Sequence, residues 1–152
     1  NEIQERIDSH SQQVLVSNIE LILSYSFRFY DRQFNTRSAQ NTDIVSKVET
    51  LLKNYYKANE LILSGQPTIE YLANGCHLSS NYLSDLLSKE TGRSAKDHIN
   101  DFLMEKAKNL LLSSTDSVSG IAYSLGFNYP HYFSRIFKKK TGKTPQEYRQ
   151  MN

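Results

Sequence analysis

The side chains best suited to chemistry in this chain are cations, and they gather near its end. Between Asn128 and Arg149 stand six basic residues (Arg135, Lys138, Lys139, Lys140, Lys143 and Arg149) against one acid, Glu147. The 152 residues together carry a formal net charge of only +2, so a partner is implied by where the charge lies and not by its sum. A local excess of this kind attracts phosphates. The other reactive groups form no working set. Cys76 and His77 are adjacent, but neighbours in a turn point in different directions and no third group stands at a useful spacing. His10, His98 and His131 lack metal-ligand spacing with Cys76 or with any carboxylate cluster. No glycine loop that could cradle a phosphate is present, so neither an enzyme nor a cofactor is expected.

The cations must be positioned by helices. Ser117 is an N-cap, and Val118, Ile121, Ala122 and Leu125 share one helical face. Gly126 supplies the positive φ of a tight turn. A second helix starts near Pro130, with Phe133, Ile136 and Phe137 inward and Arg135, Lys138 and Lys139 outward. Thr144 caps a short closing helix whose first residue is Pro145. A helix–turn–helix whose second helix has one apolar and one basic face points to the major groove of DNA.

The same pattern occurs once before. Ile69, Ala73 and His77 precede Val118, Ala122 and Gly126 by 49 residues, and Leu83, Leu87, Thr91 and Gly92 precede Phe133, Phe137, Thr141 and Gly142 by 50. Tyr82, Ser84 and Lys89 recur as Tyr132, Ser134 and Lys139. Two units of one supersecondary structure are therefore expected. His77 takes the turn position of Gly126, a left-handed site that His tolerates better than most residues, and Cys76 is a small core residue equivalent to Leu125. Between the copies Ser94 caps a helix to about Leu112, with Ile99, Phe102, Leu103, Lys106 and Leu110 as its inward edge. Its nineteen residues span roughly 28 Å at about 1.5 Å each. That is near the ~34 Å between successive major grooves on one side of B-DNA.

Upstream, residues 1–34 read as a long helix with Ile3, Ile7, Val14, Leu21 and Tyr25 on one seam, while Val16, Ile19, Ile22, Leu23, Phe27, Phe29 and Tyr30 spread around the cylinder. Either the helix packs against the next one, or it offers a homodimer seam or the docking face of a further domain. Residues 35–42 are small and polar and read as a loop. A second helix then runs from Thr42 or Asp43 through Ile44, Val48, Leu51, Leu52, Tyr55, Asn59 and Ile62 to Gly65. The expected architecture is all-α: a helical hairpin over 1–64 and a double helix–turn–helix domain over 65–152, with the first unit at 65–98, the linker helix at 95–113 and the second unit at 117–150. Ten Tyr and seven Phe supply core material, and no apolar run approaches the ~20 residues of a membrane span. One cysteine and no visible signal peptide fit the cytoplasm. A chain starting at Asn1 is expected to be part of a longer protein.

These residues resemble the AraC/XylS family of bacterial transcription regulators. The second copy carries Ala122, Gly126-Phe127, Tyr132-Phe133-Ser134-Arg135, Phe137-Lys138-Lys139, Gly142, Pro145 and Tyr148-Arg149. The first copy carries Leu72-Ala73, Leu78-Ser79, Tyr82-Leu83-Ser84 and Thr91-Gly92, followed by Ala107 and Leu110-Leu111. The resemblance covers roughly Thr68 to Gln150 and implies a homeodomain-like all-α fold that binds double-stranded DNA beside a promoter, with a separate N-terminal sensor domain in the intact protein. It places Asn81, Ser84 and Asp85 at base edges in the first copy, with Ser79 and Ser80 near the DNA backbone. In the second copy it places Asn128, Pro130, His131, Ser134 and Arg135 at bases, with Lys138 and Lys139 at phosphates. Arg135 suits guanine, Asn81 suits adenine, and His131 can donate to a purine N7. Asp85 stands where the family has a base, Leu87-Ser88 where it has an aromatic–lysine pair, and Leu103 where it has an arginine at a DNA-facing or packing surface. Unequal copies are expected, the second dominating affinity. A protein adaptor that docks a partner such as RNA polymerase is the alternative function.

Overall fold

The computed structural model describes residues 9–151, all of whose regular elements are helices: α1 (Ser9–Lys57), α2 (Glu60–Leu63), α3 (Ile69–Gly75), α4 (Ser80–Thr91), α5 (Ala95–Ser113), α6 (Val118–Ser124), α7 (Pro130–Thr141) and α8 (Pro145–Arg149). The chain divides into two compact units, one up to Asn41 and one from Thr42 onward.

The expected hairpin is absent. Residues 35–42 lie within α1, where the sequence reading has a loop. The stretch is polar but contains neither Gly nor Pro, and its Arg, Ala and Gln are good helix formers, so nothing in it breaks the hydrogen-bond ladder. The break comes later, at Asn59, whose φ of 57° is left-handed, a conformation Asn adopts more readily than most side chains. In the unit up to Asn41, the large apolar side chains of residues 14–30 are exposed. Val14, Leu21, Tyr25 and Phe27 are 60, 55, 54 and 68% exposed. Ile3 and Ile7 of the seam lie outside the described residues.

In the unit from Thr42, the division expected at residues 64 and 65 is also displaced. Val48, Leu52, Tyr55 and Leu61 are buried in the same apolar cluster as Leu72, Leu83 and Leu87 of the first helix–turn–helix and Ile121, Phe133 and Phe137 of the second. The spacing of Val48, Leu52 and Tyr55 puts them on one helical stripe, and the Tyr55 hydroxyl donates to the Gly65 carbonyl at 3.0 Å. The spine of the cluster is α5, whose buried edge is Ala95, His98, Ile99, Leu103, Met104, Ala107 and Leu111. Phe102, Lys106 and Leu110, expected inward, lie on the flank, where Lys106 Nζ rests 4.7 Å from the Tyr56 ring centre. Leu103 is fully buried, so the missing arginine belongs to a packing surface. Fully burying a Leu or Phe contributes about 1.5–3 kcal/mol.

The two copies agree in their caps to within tenths of an ångström. The Thr91 hydroxyl donates to the Leu87 carbonyl (2.7 Å) and accepts from the Arg93 amide (3.3 Å). The Thr141 hydroxyl donates to the Phe137 carbonyl (2.8 Å) and accepts from the Lys143 amide (3.3 Å). Ser94 and Thr144 then cap α5 and α8, accepting from Asp97 (3.1 Å) and Glu147 (3.2 Å). The repeat therefore reaches further than Gly92 and Gly142, into the start of the following helices. The two tight turns also match: φ is 58° at His77 and 77° at Gly126. Cys76 and Leu125 are both buried beside them.

Candidate nucleic-acid interface

The second helix of each unit has a buried and an open side. On α7, Phe133 and Phe137 are fully buried, and the opposite stripe carries His131, Ser134, Arg135 and Lys138 at the i, i+3, i+4, i+7 spacing of one helical face, with Lys139 beside it. His131, Arg135, Lys138 and Lys139 are exposed and Ser134 is half-buried. The Arg135 guanidinium lies 5.2 Å from the Tyr132 ring centre, so a ring face supports the charge at the surface. Pro130, half-buried, starts the helix, and Asn128 is exposed just before it.

On α4, Leu83, Leu86 and Leu87 are buried and the open stripe is Asn81, Ser84, Asp85 and Ser88. Asn81 and Asp85 are exposed, while Ser80 and Ser84 are half-buried. Ser79 is the N-cap, its hydroxyl oxygen accepting from the Tyr82 amide at 3.2 Å. That leaves its hydroxyl proton available to an acceptor such as a phosphate oxygen.

Two of the six cations counted between Asn128 and Arg149 face the protein instead. Lys140 Nζ lies 2.9 Å from Asp97 and 2.8 Å from Asp101, both on α5. Arg149 donates to the carbonyls of Leu111 (3.3 Å) and Asp116, tying α8 to the end of α5. Lys143 lies beyond α7, 3.0 Å from the Met151 sulfur. The open cationic surface of α7 is thus Arg135, Lys138 and Lys139. Tyr129, which the motif reading passes over, joins the surface, as does Ser88 of the departing Leu87-Ser88 pair. Tyr129 is 64% exposed at the N-terminus of α7 with its ring centre 5.7 Å from that of His131, and Ser88 stands at the register of Lys138. No group of three or more His, Cys, Asp or Glu side chains among the described residues could hold a metal ion.

This arrangement, two helix–turn–helix units with their second helices open on one side, defines a double helix–turn–helix DNA-binding domain. A family profile described as a helix-turn-helix domain matches residues 72–151. The chain is 29% identical over 153 residues to the uncharacterized HTH-type transcriptional regulator YfiF of Bacillus subtilis, covering 99% of this chain and 45% of that protein. It is 37% identical over 82 residues to the HTH-type transcriptional activator RhaR of Yersinia pseudotuberculosis, covering 52% of this chain and 28% of RhaR. Among solved structures, the C-terminal domain of AraT, a response regulator from Geobacillus stearothermophilus, superposes with a TM-score of 0.60 at 30% identity, covering 72% of this chain and 84% of that one. The chain belongs to the AraC/XylS family of transcription regulators. It spans less than half the length of the curated relatives it matches.

Proposed function

We propose that α4 and α7 enter successive major grooves of one DNA duplex and that the protein regulates transcription from the site so bound. The observation that carries this is the open stripe His131, Ser134, Arg135 and Lys138 on α7, backed by buried Phe133 and Phe137 and repeated in register on α4. Arg135 pairs with a guanine edge through two parallel hydrogen bonds, His131 donates to a purine N7, and Asn81 pairs with adenine. Asn128, Pro130, Ser134 and Ser84 complete the base-facing surface. Lys138 and Lys139 position the helix on phosphates, as do Ser79 and Ser80 at the start of α4. Asp85 repels phosphate but can accept a bond from cytosine N4. Site selection from random duplexes, followed by titration, tests the assignment. Arg135→Ala should cost about 1–3 kcal/mol and relax one base position, whereas Lys138→Ala should weaken every sequence alike and lower the salt slope by about 1. A uniform loss for Arg135→Ala makes it a backbone contact instead.

The exposed apolar side chains of residues 14–30 support a second element of the reading, a homodimer formed through this segment. Sedimentation at rising concentration, with Leu21→Asp as control, decides it, and a mass that stays at one chain removes it. RNA polymerase is the protein partner proposed for the first unit, whose α4 stripe has little net charge. No helix among the described residues is long and apolar enough to cross a membrane, and the cytoplasm is the proposed location.

A further inference from the structure

We propose that Lys140 is a positioning residue that holds the two DNA-reading units in one relative orientation and so sets the half-site spacing the protein accepts. The inference rests on the reading that α4 and α7 occupy one duplex together. Lys140 lies in the last turn of α7, and its ammonium group lies between two carboxylates one turn apart on α5, Asp97 at 2.9 Å and Asp101 at 2.8 Å. Each carboxylate uses its second oxygen on the segment that closes α4. Asp101 Oδ2 accepts from Arg93 Nη1 at 2.9 Å, and Asp97 Oδ2 accepts from the Ser94 hydroxyl at 2.7 Å. A continuous polar chain, Ser94–Asp97–Lys140–Asp101–Arg93, thereby joins the end of one reading helix to the end of the other across the spacer.

Three features separate this network from ordinary surface pairing. An isolated exposed ion pair holds its partners weakly because two long side chains must be ordered for one contact. The Lys140 and Asp101 side chains are 27 and 29% exposed, against 43% for Asp97 and 53% for Arg93, and both are held from two sides, so ordering is shared across several bonds. A cleft of about 400 Å³ borders Arg93, Asp101 and Lys140, so these polar contacts lie at the edge of the shared apolar cluster and add a directional tie to it. The repeat does not dictate the contact either, because the first copy has Glu90 at the register of Lys140. Lys140 also belongs to the run Lys138-Lys139-Lys140, and it alone of the three turns back to the protein.

The test uses the two-half-site duplex recovered by selection with the unmodified chain, and the same duplex lengthened or shortened by one base pair between half-sites. One base pair turns a half-site by about a tenth of a helical turn. The unmodified chain should bind the altered duplexes about tenfold more weakly, the order of one mismatched pair. Lys140→Met and Asp101→Asn should each bring that penalty to about threefold or less while binding to a single half-site stays within about twofold. Lys140→Arg should restore the discrimination. Unchanged discrimination in both variants overturns the proposal, and so does an equal loss on all duplexes including the single half-site, which would make Lys140 a phosphate contact or a general stabiliser. A different result, an unmodified chain that binds two half-sites no better than one, overturns the two-groove reading itself.

Discussion

At positions fifty residues apart, α4 presents Asn81, Ser84, Asp85 and Ser88 where α7 presents His131, Ser134, Arg135 and Lys138. Behind those stripes the two units are closely alike: Leu83 and Leu87 are as fully buried as Phe133 and Phe137, and the threonine hydroxyls of the two Thr–Gly turns make the same backbone bonds. The fold constrains the inner face and the turn, and it leaves the outer face to vary. An acid and an arginine at one register, Asp85 and Arg135, thus give one scaffold two recognition chemistries. The larger ring side chains lie behind the more cationic stripe, which also has the aromatic support of Tyr132.

Exchanging or removing equivalent residues probes how deep the likeness goes. The largest effect is expected in the core. Phe137→Ala should lower unfolding free energy by about 3–5 kcal/mol and Leu87→Ala by about 2–5 kcal/mol in urea titrations. Both belong to one apolar cluster, so each variant should shift a single shared transition. Two separate transitions would show that the units are independent after all. The turns come next. Gly126→Ala places a methyl 2.9 Å from the Gln66 amide nitrogen at a φ of +77°, so it should cost more than the ~1–2 kcal/mol of a left-handed residue alone. His77→Gly relieves that conformation and should stabilise the fold slightly, by about 1 kcal/mol or less, read as a small rise in thermal midpoint. Equal and small shifts would make the two turns interchangeable.

The smallest effect concerns His98, which stands at the register of Tyr148. It is 7% exposed, and its Nε2 lies 2.8 Å from the Thr91 hydroxyl oxygen. That hydroxyl gives its proton to the Leu87 carbonyl, so the ring nitrogen donates to the hydroxyl oxygen. Burial first, and the Arg93 charge second, push its pKa below the ordinary value. The unfolded chain then binds a proton before the folded one does. Stability is full above the unfolded value of about 6.5 and falls as pH drops through it toward the folded value. His98→Tyr should flatten the slope of stability between about pH 7 and 5, read as the change in urea midpoint. Asp97, held at about 2 by the Ser94 hydroxyl and Lys140, acts in a lower window. Its contribution is present above the unfolded value of about 3.9 and is lost as pH falls toward 2.

Much of this was legible in the residues because it is local. Ser94, Ser117 and Thr144 announce helix starts, and the turn residues His77 and Gly126 lie where the repeat puts them. Three things were not legible. A polar stretch without Gly or Pro resembles a loop in composition and a helix in propensity, and residues 35–42 follow propensity. The break at Asn59 rests on one residue in a left-handed well, a weak local signal beside the Gly65 and Pro67 that follow. The partners of Lys140 and Arg149 lie far away in sequence, 43 and 38 residues for Asp97 and Leu111, so counting charges along the chain overstates the cationic surface. The outward set Arg135, Lys138 and Lys139 was visible from helical spacing, while His131 and Ser134 came with the family resemblance.

The close approach at Gly126 also bears on the order in which the molecule is made. The segment from Leu61 to Gln66 is synthesised before either helix–turn–helix, yet the backbone it lies against belongs to the second. Some 65 residues separate Leu61 from Gly126. At about 5–20 residues per second, a ribosome takes roughly 3–13 seconds to cross that interval. Leu61, 4% exposed in the finished fold, spends that time without its final neighbours. The upstream segment is therefore made early in this unit but can complete its contact with Gly126 only after the turn of the second reading unit has been made.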